Sequence, residues 1–391
     1  MEIETKNTII VAAFLVIGLF FPTSLGGVIQ SAFVPLASIV GVVFMILFFK
    51  LRLSGNNILI VFLVNFCLIA FTFTSEFSEK SLGIYPNFLF LSMFFLIDIK
   101  QISLKKQIRT IFVIATYSII ILGVGVIFRI TPITDFILAF YSASYDDLVP
   151  RMILFLKPVA TFGTHSVSGL FIFLFFYLNF LSFQVFTKKI YLINAIILLL
   201  LLVFIRSNTA YFYLLISLLI ILPSIKKINT RVIAIIAISL IVVIVLIVQI
   251  VDFSSLEQTF NVMKTLSSKS NGLAGRYSQD SPVFSTINYI LKNPFSPIGL
   301  SYSKNLYYTD AGYILYLLRG SIVLLFMIYL GFVRAIYFNI INKKECYILL
   351  FVLLIFEVGY PILINFRMIF FLPFLIVYLN FLEKSKPFDE S

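Results

Sequence analysis

Lys188–Lys227 reads KKIYLINAIILLLLLVFIRSNTAYFYLLISLLIILPSIKK. Two apolar runs, 190–205 and 209–223, are separated only by Arg206, Ser207 and Asn208, and a lysine pair closes each outer end. Runs this apolar and this long read as helices that cross a bilayer. Paired lysines at both open ends mark those ends as cytoplasmic, because inner loops collect Lys and Arg. The stretch is therefore a helical hairpin whose tip, at Arg206, faces outward.

The same grammar runs through all 391 residues. The chain is 61% hydrophobic and only 12% charged, with a mean hydropathy of +1.09. Soluble domains carry about a quarter charged residues. Apolar runs recur near 8–21, 28–49, 57–73, 84–97, 110–128, 166–186, 190–205, 209–223, 232–251, 312–333, 346–360 and 362–381. The expected fold is an all-α polytopic membrane protein, a single integral membrane domain over 1–391 with about 12 transmembrane helices. Residues 8–21 resemble a signal-peptide core, but Pro-Thr-Ser-Leu-Gly-Gly follows without a small-x-small cleavage pattern, so they are read as a retained first span.

Net charge +12 does not point to nucleic acid, because the basic residues sit in short clusters between apolar runs. Lys50 and Arg52, Lys100 to Arg109, Lys188 and Lys189, Lys226 to Arg231, Arg334 to Lys344, and Lys384 with Lys386 fall on one side if the N-terminus is inside. The short opposite connections hold only Lys80 and Arg206. Both termini are thus expected in the cytoplasm. Cys67 and Cys346 offer neither a disulfide framework nor metal spacing.

Two connections are long and fall outside, 129–165 and 252–311, the latter between spans 9 and 10. Loops of that length in a compact protein usually carry function. The second is expected to be partly helical and to hold the chemistry. Leu256, Phe260, Met263 and Leu266 recur at helical spacing, as for a helix lying on the bilayer. Ser281-Pro282 then reads as a helix start, Val283, Phe284, Ile287, Ile290 and Leu291 as its apolar stripe, and Pro294 as its stop.

Charged groups inside spans are functional candidates because they are costly there. Arg319, Arg367 and Glu357 lie within or beside spans; Arg206 ends one, and Arg151 and Arg276 occupy the long loops. Five outward-lying arginines suit a phosphate-bearing ligand, since the guanidinium fork offers paired donors and keeps its charge. The same arginines could instead pair with Glu357 and Asp310 to hold helices together. His165, the sole histidine, sits in FGTHSVSG as a base or phosphate donor, or as part of a helix cap. Asp310 is either a cap or a proton acceptor. No nucleotide fingerprint, Walker motif, zinc spacing or GxSxG occurs, and no cofactor is expected.

ATFGTHSVSG at 160–169, IRSNTAYFY at 205–213, GRYSQD at 275–280, NPFSPIGL at 293–300 and TDAGYILYLLRG at 309–320 together resemble the Wzy-type polysaccharide polymerases of the O-antigen ligase superfamily. The resemblance covers about residues 150–335. Asp310 stands where the ligases tend to carry a histidine, which makes the chain more similar to a polymerase. The resemblance implies a bacterial cytoplasmic-membrane glycosyltransferase acting on polyprenyl-pyrophosphate-linked oligosaccharides at the extracytoplasmic face, for O-antigen or capsule. It implies Arg206 and Arg276 as donor-pyrophosphate contacts and Asp310 or His165 as the group assisting the acceptor. Tyr277, Tyr302, Tyr307 and Tyr308 then suit sugar rings. Membrane lipids and a chain-length regulator are the remaining expected partners.

Two other readings compete. A lipid-linked oligosaccharide flippase would show pseudo-symmetric halves and lack a long folded outer loop. A membrane O-acyltransferase would want its histidine on a cytoplasmic acyl-donor route, whereas His165 faces outward on this topology.

Overall fold

The computed structural model describes residues 2–142, 148–225, 282–303, 306 and 311–386. Almost all regular structure is helical: α1 (Glu2–Phe20), α2 (Phe33–Phe48), α3 (Gly55–Thr74), α4 (Tyr85–Phe94), α5 (Ile108–Ile127), α6 (Thr131–Phe140), α7 (Leu148–Leu154), α8 (His165–Phe186), α9 (Lys189–Ile205), α10 (Asn208–Ile225), α11 (Pro282–Lys292), α12 (Gly312–Asn339), α13 (Lys343–Phe356) and α14 (Phe366–Lys384). Among the described residues, four two-residue strands form two antiparallel pairs, β1 (Ser24–Leu25) with β2 (Val28–Ile29) and β3 (Lys50–Leu51) with β4 (Ile97–Asp98).

Six of the described helices are long and apolar enough to cross a membrane: Ile3–Phe20, Gly55–Thr74, Ile108–Ile127, His165–Phe186, Gly312–Asn339 and Phe366–Lys384. Hydropathy alone led to an expectation of about twelve. The difference has a physical source in helix length. α2, α4, α9 and α13 span only 16, 10, 17 and 14 residues, or about 24, 15, 26 and 21 Å at 1.5 Å per residue, and the apolar stretch of α10 is the shorter Thr209–Ile221. The run at 232–251, and the first helix expected in the second long loop, lie outside the described residues. α2 and α3 turn Leu36, Val43, Ile46, Phe62, Phe66 and Phe73 outward, all exposed. Such a surface is stable against lipid tails and costly against water.

The chain divides into two compact units, one of residues 1–23, 30–111 and 276–391, the other of 24–29 and 112–275. In the first, α14 is the hub and is buried along most of its length. Gly18 lets α1 approach it to within 3.1 Å of a would-be Cβ at Phe370, and the rings of Phe14 and Phe370 lie 5.4 Å apart. α4 reaches α14 through Phe90 and Phe370, 4.7 Å apart. α3 and α12 pair where Gly331 meets Phe95 and Ile60. Asn380 of α14 closes the end of α12, donating to Asn339 O at 2.7 Å and accepting from Ile341 N at 2.9 Å.

α12 is broken inside the apolar run. Gly320 and Ser321 leave helical geometry, with Ser321 at φ 62°. The break frees the Leu318 and Arg319 carbonyls, and the N–H groups of Ile298 and Gly299 take them at 2.9 and 3.0 Å. Interrupted helices at membrane depth need such replacement partners. Helix α11 packs Val283 against Ala311 and Ile314; Ser281, expected as its cap, lies outside the described residues. Leu291, expected in its apolar stripe, is exposed.

In the second unit α8, α9 and α10 form a three-helix bundle in which α8 is largely buried. A polar ladder crosses it: Asn194 donates to Asn179 Oδ1 at 3.4 Å, and Asn179 to Thr116 Oγ1 of α5 at 3.2 Å. Each amide thereby avoids an unmet donor in an apolar interior. The β1–β2 hairpin docks on α6, with Gly27 N donating to Ala139 O at 3.1 Å and Ser24 Oγ to the same oxygen at 2.9 Å.

Candidate functional site: a cationic end of the three-helix bundle

α8 and α10 begin at the same end of their bundle. Gly169, one turn into α8, has Ala210, one turn into α10, 3.7 Å from where its Cβ would stand. Thr164 caps α8, its hydroxyl accepting from Val167 N at 3.2 Å, and Ser207 does the same for Ala210 N at 3.2 Å. Two helix N-termini therefore open side by side, each with a partial positive charge and N–H groups pointing out of the helix.

The loop before α8 is tightly held. Ser168 Oγ lies 2.8 Å from Val159 O and 2.7 Å from Thr164 O, and Phe162 stacks on Phe171 at 4.3 Å. Leu156 and Ala160 sit at φ 55° and 44°. Arg206, between α9 and α10, is likewise left-handed at φ 50°, ψ 52°. Non-glycine residues held there carry strain, which gathers where geometry serves function.

Lys157, half-buried in this loop, feels Arg206. Burial, and secondarily the Arg206 charge, lower its ammonium from the ordinary lysine range. Two cations kept within electrostatic reach, beside two helix N-termini, offer the chemistry that a multiply charged anion requires. His165 is the first residue of α8 and belongs to the same end.

Of the residues singled out from the sequence, His165 and Arg206 share this end. Arg151 lies on α7, exposed. Arg319 and Arg367, in the other unit, are buried and bond backbone carbonyls. Arg319 Nη1 donates to Gly299 O at 2.7 Å and Ser301 O at 2.9 Å. Arg367 closes the C-terminal end of α1, donating to Leu19 O at 3.2 Å and Phe21 O at 2.8 Å, the position where a cation meets unmatched carbonyls. Tyr302 is partly exposed. Asp310, Arg276, Tyr277, Tyr307 and Tyr308 lie outside the described residues.

Sequence reasoning missed Lys157. Its signal was weak, a single Lys-Pro step just ahead of ATFGTHSVSG. It also missed the partner of Gly312 in the other unit. Glu357, buried, accepts from Leu363 N at 2.7 Å, its carbonyl takes the Gly312 N–H at 2.8 Å, and its carboxylate lies where a Gly312 Cβ would stand. The glycine of Asp-Ala-Gly-Tyr is thus explained by space. Among the described residues no cluster of three or more His, Cys, Asp or Glu forms a metal-binding group.

No protein-family model matches the chain, and no curated protein or solved structure matches it.

Proposed function

We propose that this membrane protein is a glycosyltransferase that polymerises polyprenyl-pyrophosphate-linked oligosaccharides on the extracytoplasmic face of a bacterial cytoplasmic membrane. The observation that carries the reading is the pairing of the α8 and α10 starts, with Ala210 3.7 Å from where a Gly169 Cβ would stand, next to Arg206 held left-handed between α9 and α10; Lys157 lies within electrostatic reach of that guanidinium. The chemistry of this end suits a lipid-borne pyrophosphate, which brings several negative charges and reaches its protein from the bilayer.

In the proposed reaction a sugar hydroxyl of one lipid-linked unit attacks the anomeric carbon of another. The new glycosidic C–O bond forms as the bond to pyrophosphate breaks, and the leaving group keeps the electron pair. The hydroxyl proton passes to a base, His165 or Asp310. Negative charge builds on the departing oxygen, where fixed donors act most strongly because they need not reorganise. Lys157, Arg206 and the two helix N-termini are such donors. Arg276 is the expected third cation from the second long loop.

The test uses cells lacking the gene, restored with wild type, Arg206→Asn or Lys157→Gln. Asparagine tolerates a left-handed backbone, so that variant removes charge with little change of conformation. The expected result is single repeat units in the deletion, long chains with wild type, and short chains with variants that still reach the membrane. Undiminished long chains in the deletion overturn the reading. Lipid-linked units stranded on the cytoplasmic face replace it with a flippase.

A further inference from the structure

The far end of α3 and α12 carries a second cationic feature, independent of glycosyl transfer and within the first unit. The two helices run antiparallel, since Gly331 lies against Ile60 while Thr72, at the other end of α3, meets the Gly299 turn. In the segment just before α3, Arg52 lays its guanidinium carbon 3.3 Å from the centroid of the Phe338 ring near the end of α12. Lys100 Nζ stands 5.8 Å from the same ring. Arg334, one turn before Phe338, lines the same small pocket with Asn57 and Asn339.

This arrangement is built. Arg52 N donates to Leu96 O at 2.6 Å, extending the β3–β4 pair. Asn339 fixes the opposite wall, accepting from Ile99 N at 2.8 Å and donating to Ile97 O at 3.1 Å. A guanidinium stacked on a ring keeps its N–H donors in plane, aimed sideways. None of the three cations makes an ion pair with a described residue. Asp98 is the nearby acid, and it sits opposite Lys50 in the strand pair.

Beside the cations the surface is apolar. Leu47, Phe48 and Leu53 are all exposed, next in sequence to Lys50 and Arg52. A small inorganic anion has no use for that surface, whereas an amphiphile contacts both parts at once. Basic pockets between membrane helices on the side rich in Lys and Arg recognise acidic head groups in this way. We propose that Arg52, Lys100 and Arg334 bind the phosphodiester head group of an anionic glycerophospholipid, with its acyl chains along Leu47, Phe48 and Leu53.

The experiment places the full chain in nanodiscs of phosphatidylcholine with rising phosphatidylglycerol and counts bound lipids by native mass spectrometry. Phosphatidylglycerol is expected to be retained over phosphatidylcholine, and Arg52→Gln or Arg334→Gln to weaken that retention about five-fold each. Where a guanidinium variant does not fold, Lys100→Gln makes the same comparison, because that side chain touches only the rim. Equal retention of both lipids, or unchanged preference in the folded variants, overturns the proposal. So does displacement of phosphatidylglycerol by millimolar inorganic phosphate, which would make the pocket a free-anion site.

Discussion

Gly299 and Arg319 bond each other twice: Gly299 N donates to Arg319 O at 3.0 Å, and Arg319 Nη1 returns a bond to Gly299 O at 2.7 Å. The backbone of one and the side chain of the other thus close a ring around the break in α12. Leu300 N adds a bond to Thr72 Oγ1 at 2.7 Å, and Lys80 Nζ one to Ser301 Oγ at 2.9 Å. The Pro297–Ser301 turn is consequently fastened to both α3 and α12.

Gly299→Ala is expected to be among the most damaging small substitutions in the first unit. Gly299 has φ 56°, and a Cβ there would collide with Thr72 N and Leu68 O. A left-handed L-residue costs about 1–2 kcal/mol, and overpacking adds about 1–3 kcal/mol. Arg319→Gln leaves the Gly299 and Ser301 carbonyls short of a donor, at about 1–3 kcal/mol. Detergent-solubilised melting curves should show both variants well below wild type, and an unchanged midpoint for either would refute the clasp.

Arg206→Gly separates conformation from charge. Glycine relieves the left-handed backbone at 206, so the melting midpoint should hold or rise. Loss of the guanidinium removes a charge-assisted contact worth about 1.5–3 kcal/mol, or about 10- to 150-fold in chain-extension rate. A variant that extends chains at the wild-type rate removes Arg206 from the proposed site.

Lys157 ties stability to pH. Its folded-state ammonium is lowered by burial and then by Arg206, so between the folded and unfolded values the unfolded chain binds more protons. Stability contributed by this group therefore rises as pH climbs toward the ordinary lysine range. Lys157→Met should flatten that rise and stabilise the protein at neutral pH. Pyrophosphate should oppose the lowering and steady the wild type alone. Melting midpoints from pH 7 to 10, with and without pyrophosphate, check all three outcomes.

Gly312→Ala should destabilise because the methyl group takes the space of the Glu357 carboxylate. Combining it with Glu357→Ala should return part of the loss, with a coupling of about 0.5–3 kcal/mol between touching residues. Strictly additive midpoints would show that the two do not meet.

Much of the helical layout was legible from residues 188–227 and their like. A run of Ile, Leu and Phe states its own helix when every backbone polar group must be met within the segment. The FGTHSVSG turn announced a helix cap in the same local way, and Thr164 supplies it. Leu291 misled because a stripe predicts one buried face without saying what covers it. The break at Gly320–Ser321 was invisible for a related reason: hydropathy sees composition, and a broken helix in apolar sequence has the same composition as an intact one.

Sequence by itself therefore determined a chain of apolar helices suited to a bilayer, with cations concentrated at helix ends, because those properties follow from neighbours in the chain. Only the tertiary structure decided which cations answer to the fold. Arg319 and Arg367 look alike in sequence to Arg206, yet they bond carbonyls of the Pro297–Ser301 turn and of the end of α1. Arg206 instead stands near Lys157, 49 positions away. A guanidinium's role depends on which acceptors come within about 3 Å, and that distance is set by packing between segments far apart in the chain.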